Sequence, residues 1–247
     1  MKLALITGGT RRLGAAIARR LAADGYTLAL HAHDHPEPEG VEGRVFTADL
    51  ADPNEARALI PQVAEAYGAA PSLLVNCAAL FADDSFAAGI DPELALRHYR
   101  INTLAPVLLI EAMAKAGAKA GGAGGRSVVN ILDQRIAHPH GDQLSYTLSK
   151  LALAGATQAA ARALAPDLRV NAVAPGLTLP TADYADGQMR RLAAMMPLAR
   201  LPEPADVADA VAYLAAARAT TGQVIHVDGG AGMKSWDRDF VALALTD

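Results

Sequence analysis

Tyr146 and Lys150 stand four positions apart within a helical pattern, Leu144–Leu164, and so share one face. An ammonium beside a phenol favours the phenolate and lowers its pKa from the usual value of about 10. A tyrosine tuned in that way exchanges protons near neutral pH, as general acid–base catalysis requires. Alone, a Tyr-x-x-x-Lys pair is more often structural, so its meaning depends on its surroundings. Asp133 follows an apolar run at Ser127–Leu132 and is available to hydrogen-bond the tyrosine or a substrate. Asn102 sits inside another helical pattern, where asparagine is disfavoured because its amide competes with the backbone. There it would bend the helix and hold a water near Lys150.

A second group lies near the N-terminus. The apolar run Leu3–Thr7 passes into Gly8-Gly9-Thr10-Arg11-Arg12-Leu13-Gly14, and a helical pattern begins at Arg12. Glycines let the backbone turn tightly and approach a pyrophosphate, while the first amides of the helix point at it. This is the pattern of a dinucleotide site, and it raises the weight of Tyr146 and Lys150. An oxidised nicotinamide is cationic and would lower the phenol pKa further. Arg12 stands where such loops often carry another glycine, and its cation would touch phosphate or reach into the active site. The run Thr27–Ala32 leads into His33-Asp34-His35, and its tip should meet the adenosine ribose. Asp34 favours a free 2′-hydroxyl and Arg11 and His31 favour a 2′-phosphate, so NADPH and NADH both stay open. Asp49 and Leu50 would hydrogen-bond and flank the adenine. The small residues of Asn76-Cys77-Ala78-Ala79 would admit close backbone approach to the cofactor.

Short apolar runs alternate with longer helical patterns to position these residues. Strands are expected at Leu3–Thr7, Thr27–Ala32, Arg44–Ala48, Leu73–Asn76, Ser127–Leu132, Arg169–Val173 and Gln223–Val227. Helices are expected at Arg12–Ala23, with Gly25 as its C-terminal cap, and from Asp52-Pro53 to Tyr67. A long helix opening at Asp91-Pro92 carries Asn102, and others span Leu144–Leu164 and Glu203–Ala217. Gly121–Gly125 reads as a loop. Continuous apolar strands separated by helices imply a parallel sheet covered on both faces. The segment Leu177–Pro202 breaks the alternation and holds Pro180, Pro197 and Pro202, so a lid over a substrate is expected there.

The chain has 247 residues, 52% of them hydrophobic, which suits one large α/β domain. A net charge of −4 argues against nucleic acid as a partner. Cys77 is the single cysteine, so no internal disulfide forms, and His31, His33 and His35 are the one local histidine group, where no metal site is expected. No run of about 18 apolar residues occurs, so no membrane span is expected and a cytoplasmic enzyme is the default.

Together, the Thr7–Gly14 loop, Asp49-Leu50, Asn76–Ala79, Asn102, Tyr146-x-x-x-Lys150, Asn171-Ala172-Val173-Ala174-Pro175-Gly176 and Val227-Asp228-Gly229-Gly230 resemble the short-chain dehydrogenase/reductase family across essentially the whole chain. The resemblance implies a single Rossmann-type domain with a seven-stranded parallel sheet, a dimeric or tetrameric assembly, and NADPH as the habitual cofactor. It implies cofactor contacts at Gly8, Arg11, Arg12, Leu13, Gly14, His31, Asp49, Leu50, Asn76, Ala78, Tyr146, Lys150, Pro175 and Gly176. Within the family the chain is most similar to pteridine and dihydromonapterin reductases. Arg12 replaces the usual glycine, Asp133 stands where most members have the catalytic serine, Phe81 follows Asn76–Ala79, and Asn171–Pro180 also matches. That similarity implies a flat heterocycle between Phe81 and the nicotinamide, with Arg12 facing its polar edge and Asp133 and Tyr146 as the proton-donating pair. Ala79 stands where those reductases have a serine, and Asp34-His35 where they have Arg-Ser or Asn-Ser.

The reaction expected from this resemblance is hydride transfer to carbon of a C=N bond in a dihydropterin-like ring, with Tyr146 protonating nitrogen, Lys150 holding the ribose and Asn102 a relay water. A carbonyl reductase or alcohol dehydrogenase is the alternative within the fold, and a non-catalytic cofactor sensor is a third reading.

Overall fold

A computed structural model describes residues 2–33, 37–118, 125–180, 184 and 187–244. Asp34, His35 and Gly121–Gly124 of the expected loop lie outside the described residues.

Seven parallel strands form one sheet in the order β3-β2-β1-β4-β5-β6-β7. They are β1 (Leu3–Thr7), β2 (Thr27–Ala32), β3 (Arg44–Thr47), β4 (Leu73–Asn76), β5 (Arg126–Ile131), β6 (Leu168–Pro175) and β7 (Val224–Val227). β1 shows why the apolar runs are continuous rather than alternating. Leu3 and Leu5 enter the core on one face, with Leu59, Ile60, Leu109 and Met113, while Ala4 and Ile6 enter the other, with Ile17, Leu21, Val207 and Val211. Both faces of the strand leave water, as a parallel sheet between two helix layers demands. The first layer comprises α2 (Pro53–Tyr67), α4 (Ala105–Ala118) and α5 (Leu144–Ala163); the second comprises α1 (Arg12–Ala23) and α7 (Pro204–Ala216).

Local chemistry sets the helix ends. The Asp52 carboxylate accepts from the Asn54 N–H and Pro53 opens α2, while Gly68, at φ 68°, ends it. Gly25 follows α1 at φ 80°. The expected long helix around Asn102 consists of three pieces: α3 (Pro92–Tyr99), a π-helical turn at Arg100–Leu104, and α4. The other boundaries move by one or two residues, most at β6, which reaches Pro175.

The segment 177–202 is not irregular throughout. It contains α6 (Gln188–Met195), whose Leu192 packs with Met196, Ala231, Phe240 and Trp236 in a small separate cluster. A last short helix, α8 (Phe240–Leu243), belongs to that cluster. Among the described residues no helix is long and apolar enough to cross a membrane.

The crossovers run one way from β1 to β3 and the other way from β4 to β7, so the carboxyl ends of β1 and β4 flank a crevice at the switch point. Among the described residues, those singled out for chemistry lie at or beside that crevice or on the helices behind it.

Candidate active site

Two cavities open at the carboxyl ends of the strands and share Arg12, Leu13, Cys77 and Ala79 in their walls. The smaller, about 490 Å³, is lined by the glycine loop, the end of β2, Asp49-Leu50 and Ala78. The larger, about 630 Å³, is lined by Phe81, Asp133, Tyr146, Lys150 and Pro175–Leu179.

Side chains are excluded from part of the first cavity's wall. A Cβ on Gly14 would overlap the Gly8 carbonyl, and one on Gly8, whose φ is 62°, would sit 3.1 Å from the Ala78 Cα. Bare backbone therefore faces this cavity from two strand ends, with the N-terminus of α1 opening on it. Arg11, Arg12, Leu13, Gly14, His31, Asp49, Leu50 and Ala78 all line it, as the sequence leads one to expect. His31 contributes as a strut. Its Nδ1 accepts from the Gly8 N–H at 3.3 Å, and its Nε2 bonds the Ala48 carbonyl at 3.0 Å. Burial lowers its pKa, so the ring is neutral, which is the form those two bonds require. Asp49 accepts from the Ala51 N–H at 2.8 Å and lies 3.8 Å from His33. Asn76 differs from expectation. Its side chain turns into the sheet and donates to Asn130 at 2.8 Å, and Cys77, Ala78 and Ala79 form the wall instead.

Arg12 joins the two cavities. Its φ of 51° is the left-handed conformation that glycine adopts freely, which is why glycine is common at this place in such loops. Its N–H donates to Glu39 at 3.0 Å, and its guanidinium donates to the Pro180 carbonyl at 2.9 Å.

In the second cavity the Tyr146 hydroxyl donates to an Asp133 carboxylate oxygen at 3.0 Å. The phenol is buried, and burial together with Asp133 pushes its pKa well above 10. That departs from the expectation that Lys150 lowers it. Lys150 Nζ lies 5.6 Å from the Tyr146 ring centre and donates to the Ile131 carbonyl at 2.8 Å, and burial lowers its own pKa. The cation that counteracts the upward push on Tyr146 is Arg135, which sequence reasoning missed. Phe81 meets Tyr146 edge to face, with ring centres 4.9 Å apart. Asn102, at the π turn, gives its amide to the Leu80 carbonyl (2.9 Å) and Ser149 (3.0 Å) and accepts from the Leu80 N–H (2.7 Å). It thereby ties the segment after β4 to α5, and its side chain is spent on that task. Among the described residues no cluster of metal-ligating side chains occurs.

Comparison with known proteins adds the family. The family model described as enoyl-(acyl carrier protein) reductase matches residues 8–232. The chain belongs to the short-chain dehydrogenase/reductase family. It is thus an oxidoreductase by descent. One family member, the alternative dihydrofolate reductase 1 FolM from Brucella suis, solved in complex with NADP, is 37% identical with a TM-score of 0.81, over 97% of this chain and 98% of that one. The (3R)-3-hydroxyacyl-CoA dehydrogenase of Rattus norvegicus is 34% identical over 92% of this chain and 95% of its own. The 3-oxoacyl-[acyl-carrier-protein] reductase FabG of Staphylococcus aureus is 31% identical over 93% and 97%.

Proposed function

We propose that this chain is an NADPH-dependent reductase of a dihydropterin-like ring. The observation that carries the reading is the Asp133 carboxylate hydrogen-bonded to the Tyr146 hydroxyl. Reduction of a ketone builds negative charge on oxygen in the transition state, and a carboxylate beside that oxygen opposes it. An imine-type nitrogen, unlike a ketone oxygen, is basic enough to take its proton before the hydride arrives, and the cation so formed is stabilised by a neighbouring carboxylate. The likeness to FolM, a dihydrofolate reductase by name, supports the same substrate class.

The chain's residues divide the work. Reduced nicotinamide, when bound, supplies the hydride. The glycine loop and the amides of α1 would receive the pyrophosphate, and the Arg11 cation suits a 2′-phosphorylated cofactor. Lys150, fixed by its bond to the Ile131 carbonyl, would hold the nicotinamide ribose. Tyr146 keeps its proton at neutral pH because its pKa is raised, the state a donor needs, and Asp133 holds the hydroxyl in place. Phe81 and Arg12 line the space where a flat ring and its polar edge would lie. The stretch 177–180 covers that space, and the Arg12–Pro180 bond tethers it in the manner of a lid. Exposed Tyr99, Val107 and Leu148, on α3, α4 and α5, offer apolar surface for a dimer or tetramer.

The hydroxyacyl and oxoacyl relatives favour a second reading, a reductase of ketones. Cofactor oxidation by purified protein, with NADPH and NADH against dihydrobiopterin, dihydrofolate and a ketone panel, decides between them. Turnover of ketones alone overturns the pterin reading.

A further inference from the structure

Arg135 has no part in that scheme. It lies two residues past Asp133, in the 3-10 turn Gln134–Ile136 at the wall of the larger cavity, and it is buried. Its guanidinium reaches three separate places in the chain. Nη2 meets the Asp239 carboxylate at 2.6 Å, Nη1 donates to the Gln143 amide oxygen at 2.7 Å, and Nε lies 3.7 Å from Asp133 Oδ1. The same group lies over two rings, 5.5 Å from the centre of Phe81 and 5.7 Å from that of Tyr146. Its backbone N–H donates to Asp133 Oδ1 at 2.9 Å, leaving Oδ2 for the Tyr146 hydroxyl.

Each partner is itself anchored. Gln143, which precedes α5, donates to Asp83 at 2.8 Å, and the neighbouring Asp84 accepts from Ser145 in the first turn of α5. Asp239 caps α8 through the Val241 N–H at 3.0 Å, and its own N–H donates to Asp142 at 2.9 Å. A buried arginine–carboxylate pair adds little net stability, because taking both charges out of water offsets their attraction. Stability therefore does not explain why the chain brings Asp239 across the molecule to meet Arg135 at this spot. Geometry does: a planar guanidinium fork fixes several partners at once, which a lysine cannot do.

We propose that Arg135 is a positioning residue for the reaction: clamped by Asp239 and Gln143, it holds Asp133 and Phe81 against Tyr146, which makes the C-terminal turn part of the proton-donating machinery. This rests on the reading of Tyr146 and Asp133 as the donor pair. The groups that face Tyr146 are Asp133 after β5, Lys150 on α5, Cys77 after β4, Arg135, and His98 of α3, whose ring centre is 6.5 Å away. Of the cations, Arg135 is the one that draws the phenol pKa down, against burial and Asp133.

The test uses the double variant Arg135→Gln/Asp239→Asn, which removes both charges of the buried pair and so avoids stranding either, beside Arg135→Lys. Thermal melting, cofactor affinity, and kcat and KM across pH are measured for each. The double variant should melt near the wild type and bind cofactor equally well. Its kcat should fall by about 10²-fold, the scale of a misplaced donor, with KM little changed. The alkaline limb of its pH profile should move up as the phenol loses the nearby cation. Arg135→Lys should restore that limb while recovering kcat only in part. A wild-type kcat and limb in the double variant overturn the proposal. So does a fall in kcat that follows a fall in melting temperature with the limb unmoved. Profiles are taken on whichever substrate the wild type turns over. Turnover of ketones but not dihydropterins would refute the substrate reading alone, and unaltered variants with dihydropterin turnover intact would refute the role of Arg135 alone.

Discussion

Tyr146→Phe deletes one oxygen and keeps the ring that meets Phe81 edge-on. The structural cost is the single bond from the hydroxyl to Asp133, and Asp133 keeps the Arg135 N–H at 2.9 Å on its other oxygen. A hydrogen bond to a charged group contributes about 1.5–3 kcal/mol. The Asp133 side chain is 21% exposed, so water replaces part of what it loses and the lower end applies. In a domain of this size each kcal/mol shifts the melting temperature by about 2–4 °C, so the variant should melt only a few degrees lower. The glycine loop and Lys150 are untouched, so the cofactor should still bind. Turnover should fall by about 10²–10⁴-fold, the usual contribution of a positioned acid, or about 3–5.5 kcal/mol on the barrier. The assay is NADPH oxidation at saturating cofactor, with fluorescence titration of cofactor binding and a melting curve on the same sample. A turnover within tenfold of the wild type refutes the assignment of Tyr146 as donor.

Three further outcomes follow from the same geometry. Arg12→Gly relieves a left-handed arginine, a strain on the order of 1 kcal/mol, but adds chain entropy of similar size to the unfolded state; melting should barely move, while KM for substrate rises about tenfold with loss of the cation, and an unchanged KM would remove Arg12 from the site. Asn102→Ala strands the Leu80 N–H and should destabilise the protein by about 1–3 kcal/mol, which denaturant unfolding would measure; no change would show that water replaces the amide. His31 is held neutral by burial, so its folded pKa lies below the unfolded value of about 6.5. Its contribution is complete above that value and is lost as pH falls, because the unfolded state takes the proton first. His140 has the same sign, so melting between pH 7 and 5 should be compared with His31→Gln, which should flatten the slope in part; an equal slope denies the strut role.

Much of the architecture is legible in the sequence because the signals are local. Asp52-Pro53 and Gly25 mark helix ends by rules that depend on two or three neighbouring residues. The continuous apolar strands reported a sheet buried on both faces. What stayed hidden depended on distance. α6 escaped because its apolar partners, Ala231, Trp236 and Phe240, come from the far end of the chain, and the prolines on either side read as a loop. The π turn at Arg100–Leu104 escaped for a related reason: Asn102 announced a disturbance, but only its bonds to Leu80 and Ser149 say which one.

The site divides along the same line. Asp133 and Tyr146 were paired correctly because a strand end and the following helix must lie side by side in this topology, and the 3.0 Å bond bears that out. The side chain of Asn76 bonds Asn130 rather than lining the cavity, and parity could have placed it: the two are in register on adjacent strands, so a side-by-side amide pair was available to both. Lys150 was expected to act on Tyr146 by charge, but burial sends its ammonium to the nearest carbonyl, that of Ile131. The role of local cation then falls to Arg135, which had no motif to announce it. Its only sequence mark is a charged residue directly after Asp133-Gln134 at a strand's carboxyl end, where ligands bind in open α/β sheets. Its meaning comes from Asp239, a hundred residues on, and such a contact is set by tertiary packing alone. A spacing motif therefore identifies which groups can react in this protein, whereas the groups that aim them come from parts of the chain that no motif links.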